Sequence, residues 1–174
     1  MAASARNSTV AGGKSAAECS GQELGIERVL DAPRQLVWKA WTDPGQLMRR
    51  RGPKGFTSPA CTIDLRPGGK YLNCMRSPDG QDGWSTGRYL EVAAPKRLVY
   101  TDSFADAEGN VVPASHCGIP SEWPMELQVT VTFEEHEGRT RLTLRHAGFP
   151  AGEGADQAGV GWNEAPDKLA ESLR

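Results

Sequence analysis

The stretch LQVTVTFE, residues 127–134, alternates apolar and polar side chains at every position. One face of such a strand carries Leu127, Val129, Val131 and Phe133. Strict alternation of this kind predicts a β-strand with one face against a core and the other in solvent. The stretch therefore predicts a sheet that is covered on one side only, which is typical of antiparallel architectures.

The neighbouring sequence extends this sheet. RTRLTLRHAG, residues 139–148, repeats the alternation and puts Leu142, Leu144 and His146 on one face. Four more runs with strand patterns precede it, and turn sequences such as RPGG and SPDGQDG separate them. Those runs are ACTIDL, KYLNCMRS, WSTGRYLEV and KRLVYTDSF. A long Gly- and Pro-rich connection between Asp106 and Trp123 is unusual in length and predicts a functional loop or a lid.

The two ends of the domain supply the helices. LGIERVLDAP predicts a first strand, and PRQLVWKAWT predicts a helix with Leu36, Val37, Ala40 and Trp41 on its apolar face. A short second helix follows around residues 47–48, and the last twenty residues predict a C-terminal helix. The order of a strand, two helices, six antiparallel strands and a helix predicts an α+β fold.

Composition limits the class of protein. The 174 residues fit one domain, with residues 1–21 as a disordered lead and 22–174 as the folded part. The formal net charge of -2 gives no general attraction to nucleic acid or to anionic membranes. No run is long and apolar enough for a membrane helix. The four cysteines lack paired spacing, which favours a reducing, cytoplasmic location over a disulfide framework.

Several phrases of the sequence resemble a known family. They are DAPRQLVWKAWTDP, GPKGFT, IDLRPGGKY, MRSPDG, GRYLEV and PKRLVYTDSFAD, together with parts of the C-terminal segment. Over residues 22–173 the chain resembles the START-like superfamily, and more closely the bacterial homologues of the activator of the heat shock protein 90 ATPase. The resemblance implies a helix-grip fold, in which a curved antiparallel sheet wraps a long C-terminal helix and leaves a cavity between them.

The chain departs from the pattern of that family at two places. Arg50 and Arg51 stand where the family usually carries two tryptophans, and Pro166 stands where the C-terminal helix ordinarily has an aliphatic residue. Because buried guanidinium groups are costly without partners, we expect both arginines to point outward. We expect Pro166 to kink the helix or to delay its start. The arginine run lacks the accompanying aromatic residues of a nucleic-acid site, so nucleic acid is not a predicted partner.

The sequence contains no catalytic signature, no cofactor motif and no metal-ligand spacing. Polar candidates for the lining of the implied cavity are Arg76, Asp102, His116 and His146. Apolar candidates for the cavity are Trp38, Trp41, Phe56, Met75, Trp84, Tyr100, Phe104, Trp123 and Trp162. Strand parity alone leaves open which of them face inward, because bulges in a curved sheet reset the alternation.

Three functions remain open at this stage. The first is a non-enzymatic protein that binds a small hydrophobic or aromatic ligand in an internal cavity without a cofactor. The second is a partner-binding module of the co-chaperone type, which the family resemblance implies. The third is a cavity enzyme of the cyclase or hydrolase type, which requires an inward acid–base pair such as Asp102 with His146. The sequence does not define an oligomeric state.

Overall fold

A computed structural model describes residues 22–50, 54–117, 123–149 and 167–173. The strands are β1 (Gln22–Leu30), β2 (Thr57–Ile63), β3 (Lys70–Arg76), β4 (Asp82–Ala93), β5 (Arg97–Ala105), β6 (Leu127–His136) and β7 (Arg139–Phe149). The helices are α1 (Arg34–Thr42), α2 (Pro44–Arg50) and a short 3₁₀ helix (Ala114–Cys117). Residues 167–172 are also helical. This order confirms the α+β class predicted from the sequence.

The strands form one antiparallel sheet in the order β1-β7-β6-β5-β4-β3-β2. All strands after β1 pair with their neighbours in sequence, so hairpins build the sheet from β2 to β7. β1 then pairs with β7, where Ile26 lies opposite Leu144. Bulges interrupt the pairing of β2 with β3 and of β4 with β5. Such bulges increase local bending, which is how the sheet becomes curved.

One face of this sheet carries the core, and we call it the inner face. It is defined by Tyr100, Val129, Val131, Phe133, Leu142 and Leu144, all of them buried. Helix α1 packs against it, with the ring centroids of Trp38 and Trp41 at 5.2 Å and 6.1 Å from that of Phe133. Burying a large apolar side chain contributes about 1.5–3 kcal/mol to the stability of the fold, so these aromatic contacts stabilise the packing of α1 against the sheet.

The apolar face of α1 differs from the sequence prediction by about one residue. Leu36 was expected to be buried and is 50% exposed, whereas Trp38 is buried together with Val37, Ala40 and Trp41. The spacing of apolar residues in the sequence allowed either Leu36 or Trp38 to lie on the buried side of α1. The indole of Trp38 contacts the ring of Phe133, whereas Leu36 lies on the exposed side of the helix.

The C-terminal helix lies against the same inner face. Leu169 is fully buried within the core, and Ala170 and Leu173 pack partly buried against it. A sheet that holds a C-terminal helix in this way has the arrangement implied by the resemblance. The expectations for Arg51, Trp162 and Pro166 lie outside the described residues, as does the expectation for the side chain of Arg50.

The connection after β5 begins as a compact turn. The carboxylate of Asp106 accepts hydrogen bonds from the backbone N–H groups of Glu108 and Asn110 and from the side-chain amide of Asn110. These donors lower the pKa of Asp106, with the Asn110 side chain as the main cause. Val111 then forms a bridge with Ala105. The first part of the predicted loop is therefore ordered against the sheet.

Candidate functional site

Three polar side chains from three different strands meet on the inner face. The hydroxyl of Tyr71, from β3, donates a hydrogen bond to Oδ1 of Asp102, from β5, at 2.8 Å. Nε2 of His146, from β7, lies 3.4 Å from Oδ2 of the same carboxylate. We call Tyr71, Asp102 and His146 the polar cluster. Asp102 is its centre because both of its oxygens are engaged.

The register of the sheet explains why these residues meet. Tyr100 lies opposite Val129, and Val129 lies opposite His146, so β5 and β7 present the same face across β6. Asp102 follows two residues after Tyr100 and therefore shares its face. His146 likewise continues the face of Leu142 and Leu144, as the sequence predicted. The side chain of His146 therefore points inward, and the residue is buried.

Burying the side chains of the polar cluster would cost free energy if they did not contact one another. The side chain of His146 is 5% exposed, and that of Asp102 is 22% exposed. A carboxylate taken out of water must be compensated by hydrogen bonds or by an opposite charge. The hydroxyl of Tyr71 supplies one such hydrogen bond, and Nε2 of His146 lies 3.4 Å from the other carboxylate oxygen.

A glycine allows Tyr71 to reach Asp102. Tyr71 on β3 pairs with Gly87 on β4, and β4 separates β3 from β5. A Cβ atom at position 87 would lie 2.6 Å from Cε1 of Tyr71 and 1.7 Å from the carbonyl oxygen of Thr101. Only glycine lets the phenol ring cross β4 so closely. Neither Tyr71 nor Gly87 was predicted from the sequence as a site residue, although an isolated glycine inside a strand is a recognised signal of close approach.

An aromatic pair near Asp102 joins β5 to the connection that precedes β6. Phe104 follows Asp102 by two residues, which places the two Cα atoms about 7 Å apart on one face of β5. Its ring contacts that of Trp123 with centroids 6.1 Å apart, and both side chains are partly exposed. The structure thus brings together Asp102, His146, Phe104 and Trp123, four candidates that the sequence could not place relative to one another.

A small recess lies deeper on the inner face. Tyr71, Tyr89 and Tyr100 contact one another there, with ring centroids 5.6–6.1 Å apart. The complete lining is Trp41, Leu47, Cys61, Ile63, Tyr71, Tyr89, Leu98 and Tyr100. The recess has a volume of about 20 Å³, which is room for one water molecule. It is far smaller than a typical ligand pocket of about 300–1,000 Å³.

The other apolar candidates lie apart from the polar cluster or contribute to packing. Trp38 and Trp41 belong to the core against Phe133. Trp84 lies opposite Ala105, so alternation places it on the other face of the sheet from Phe104. Phe56 and Met75 are partly exposed, Phe56 directly before β2 and Met75 on the strand of Tyr71.

Two of the polar candidates do not belong to the buried cluster. His116 lies in the 3₁₀ helix and is exposed. Arg76 is bound by Asp82 through a bidentate contact, with its Nε and Nη2 atoms 2.7 Å and 2.9 Å from the two carboxylate oxygens. This contact raises the pKa of Arg76 and lowers that of Asp82. Both positions are accessible to water, which explains why these polar residues are tolerated outside the cluster.

The described residues show three further features of site chemistry. They contain no group of three or more His, Cys, Asp or Glu side chains that could hold a metal ion. Cys74 and Cys117 are free thiols. None of the helices within the described ranges has the length and apolar character needed to cross a membrane.

A curved antiparallel sheet that carries α1 and a C-terminal helix on its inner face defines the helix-grip class of α+β proteins. Comparison with known families agrees with this class. Residues 31–174 match the family described as "Activator of Hsp90 ATPase homolog 1-like protein", and the chain belongs to that family. A search of curated proteins found no match.

Solved bacterial structures share the fold. A protein from Chromobacterium violaceum is 28% identical, with a TM-score of 0.70, over 87% of this chain and 96% of its own. A protein from Nitrosomonas europaea is 27% identical, with a TM-score of 0.67, over 87% and 93% of the two chains. A protein from Arthrobacter aurescens is 26% identical, with a TM-score of 0.71, over 95% and 92%.

Proposed function

We propose that this protein binds a small hydrophobic or aromatic molecule on the inner face of its sheet, next to the polar cluster. The observation that carries this proposal is the position of Asp102 and His146 beside the partly exposed rings of Phe104 and Trp123. Ligand sites in proteins combine an apolar wall with a few polar groups that orient the ligand. This part of the inner face has both components.

Stability alone gives a weak reason for the polar cluster. Replacing a buried ionic group by apolar residues of similar volume is often neutral or stabilising. The rest of the inner face follows that rule, since Val129, Val131 and Phe133 are apolar and almost fully buried. A carboxylate and an imidazole at the edge of such a surface therefore favour recognition of a ligand over a purely structural role.

Intrinsic fluorescence tests the proposal, because the chain has five tryptophans and Trp123 lies at the proposed site. Flavonoid-like, fatty-acyl and sterol-like compounds should be titrated into the protein and into Trp123→Phe. We expect saturable quenching by at least one class, and a smaller change in the variant. A flat response to all three classes would reject the proposal.

We also propose that the protein acts in the cytoplasm, which its cysteine usage supports.

The contact of Asp102 with His146 favours a second candidate function, a cavity enzyme. An imidazole within 3.4 Å of a carboxylate is the arrangement of a general base with an orienting acid. Asp102 and His146 therefore form an inward acid–base pair of the kind that this alternative requires. Turnover of a bound ligand, lost in His146→Gln with binding retained, would establish it.

Association with a chaperone is the alternative that the family description suggests. Its test is a pulldown with the cognate chaperone, followed by an ATPase assay. Chaperone binding that persists in Asp102→Asn and Trp123→Phe, with no small molecule bound, would favour this function over the ligand-binding one.

A further inference from the structure

We propose that Asn73 and Ser85 form a second polar site on the inner face, where both donate hydrogen bonds to a carbonyl oxygen of the ligand. This inference rests on the proposed function and specifies the ligand as an aromatic carbonyl compound. It is carried by two buried polar atoms that lack a hydrogen-bond partner among the described residues, and by the small residues beside them.

The register of the sheet brings Asn73 and Ser85 together. Asn73 follows Tyr71 by two residues on β3 and therefore shares its face of the sheet. Ser85 on β4 lies directly opposite Asn73, and on its other side it lies opposite Phe104 of β5. Asn73, Ser85 and Phe104 thus form a row across three neighbouring strands of the inner face.

Each of the two polar residues has capacity for a further hydrogen bond. Asn73 is fully buried, and its Oδ1 accepts a hydrogen bond from the hydroxyl of Ser58 at 3.1 Å. Within the part of the chain that the structure describes, Nδ2 of Asn73 and Oγ of Ser85 are buried without a hydrogen-bond partner. Buried polar groups in this state are rare and cost free energy. A ligand atom that satisfies both groups is therefore favoured.

Small side chains on β4 leave space beside these two atoms. Gly83 precedes Ser85 by two residues on the same face, and it is exposed. Of the described residues, only Met75 would come within 4 Å of a Cβ atom at position 83, through its carbonyl oxygen at 3.9 Å. The side chain of Met75 is partly exposed and has three rotatable bonds, so it can move aside and admit a ligand to Asn73 and Ser85.

The chemistry of the two groups selects the ligand. A side-chain amide N–H can only donate, and a serine hydroxyl can donate as well. Two neutral donors suit a neutral acceptor with two lone pairs, which is a carbonyl oxygen. A carboxylate would lose its hydration here without gaining an opposite charge from Asn73 or Ser85. The partly exposed ring of Phe104, next to Ser85, favours an aromatic body attached to the carbonyl group.

The test compares 2-acetylnaphthalene with 2-isopropenylnaphthalene by equilibrium dialysis. The two compounds have nearly the same shape, but the second has a methylene group in place of the carbonyl oxygen. We expect the wild-type protein to bind the ketone about tenfold more tightly or better. Ser85→Ala should reduce this preference by about threefold or more. Ser103→Ala is the matched control, since Ser103 is also buried but lies on the other face of β5 from Phe104.

The side-chain amide of Asn73 reports on the site directly. Its NMR signals should shift when the wild-type protein binds 2-acetylnaphthalene, and they should shift less with 2-isopropenylnaphthalene. The side-chain amide of Asn110 is the internal control, because it already donates a hydrogen bond to Asp106. Its signals should stay in place with both compounds.

The possible outcomes separate the two proposals. Equal binding of both compounds by the wild-type protein overturns the carbonyl assignment and leaves the proposed function standing. Tighter binding of 1-(2-naphthyl)ethanol than of the ketone would also overturn it, as would a ketone preference with no shift at Asn73. Binding of neither compound overturns this inference, and silence across the ligand classes in the fluorescence titration is what rejects the proposed function itself. The wild-type measurements decide these cases whether or not Ser85→Ala folds.

Discussion

The hydroxyl of Tyr71 lies 2.8 Å from Oδ1 of Asp102, although a whole strand, β4, separates the strands that carry them. The same hydroxyl lies 3.2 Å from the carbonyl oxygen of Thr101. The phenol ring therefore lies across β4 at Gly87 and fixes the position of the carboxylate from the side opposite His146. The geometry of the polar cluster depends on three strands at once.

The first prediction concerns the coupling of Tyr71 to Asp102. Tyr71→Phe should lower the free energy of unfolding by about 1.5–3 kcal/mol, the range for a hydrogen bond to a charged group. In a double-mutant cycle with Asp102→Asn, measured by urea unfolding, the two changes should be non-additive by about 1 kcal/mol or more. Additivity within about 0.5 kcal/mol would show that the contact contributes nothing specific.

The second prediction concerns Gly87. Gly87→Ala should destabilise the protein by about 3 kcal/mol, because the new Cβ overlaps the Thr101 carbonyl and the Tyr71 ring. Gly83→Ala is the matched control on β4, since its Cβ would meet only the Met75 carbonyl oxygen at 3.9 Å. Thermal unfolding of both variants measures the difference. Equal melting temperatures for the two would contradict the proposed close approach.

The third prediction concerns the turn between β6 and β7. Glu137 has a φ of 52° and Gly138 a φ of 77°, which is the backbone of a two-residue hairpin turn that favours Asn-Gly. Glu137→Asn should raise stability by about 0.5–1 kcal/mol, since asparagine tolerates this conformation better. The lost ion pair with Arg139 is exposed and offsets little. Glu135→Asn removes the same charge from strand β6 and should not stabilise; if it stabilises equally, charge rather than φ is responsible.

The fourth prediction concerns pH. The hydrogen bond from Arg76 holds the pKa of Asp82 below its ordinary value of 3.8. A depressed folded-state pKa stabilises the protein above the unfolded pKa, and this stabilisation is lost as pH falls through the folded value. Asp82→Asn should therefore lower stability at pH 7, and the difference should shrink as pH falls below 3.8 and vanish once pH is below the folded-state pKa. Urea unfolding from pH 7 to pH 2 measures it, with Glu135→Gln as an exposed control. A difference that persists at pH 2 would contradict an electrostatic origin.

The sequence predicted the architecture because the sheet repeats a short pattern. Alternation from Leu127 to Glu134 needs only strand geometry, and the register of β6 with β7 follows from a two-residue turn at Glu137 and Gly138. Helix α1 was predicted, but its buried face was predicted to include Leu36 instead of Trp38. The residues that bury Trp38 come from distant strands, which the pattern within the helix does not show.

The candidate site was predicted only in part. The inward direction of His146 followed from its parity with Leu144, but its contact with Asp102 depends on where β5 lies relative to β7. Tyr71 reaches the cluster only because Gly87 lacks a side chain, which is a relationship between two strands and not a pattern within either. The face of Trp84 likewise depends on a relationship between two strands, its pairing with Ala105 on β5.

The most direct test of the central claim, that the inner face binds its ligand at the polar cluster, is an NMR measurement of the complex with the compound that quenches the tryptophan fluorescence most strongly. Nuclear Overhauser contacts should be recorded between the protons of that compound and the protein side chains. The account predicts contacts with the ring of Phe104 and the indole of Trp123. Contacts confined to exposed apolar residues such as Val29 and Leu36, with none to Phe104 or Trp123, would contradict it.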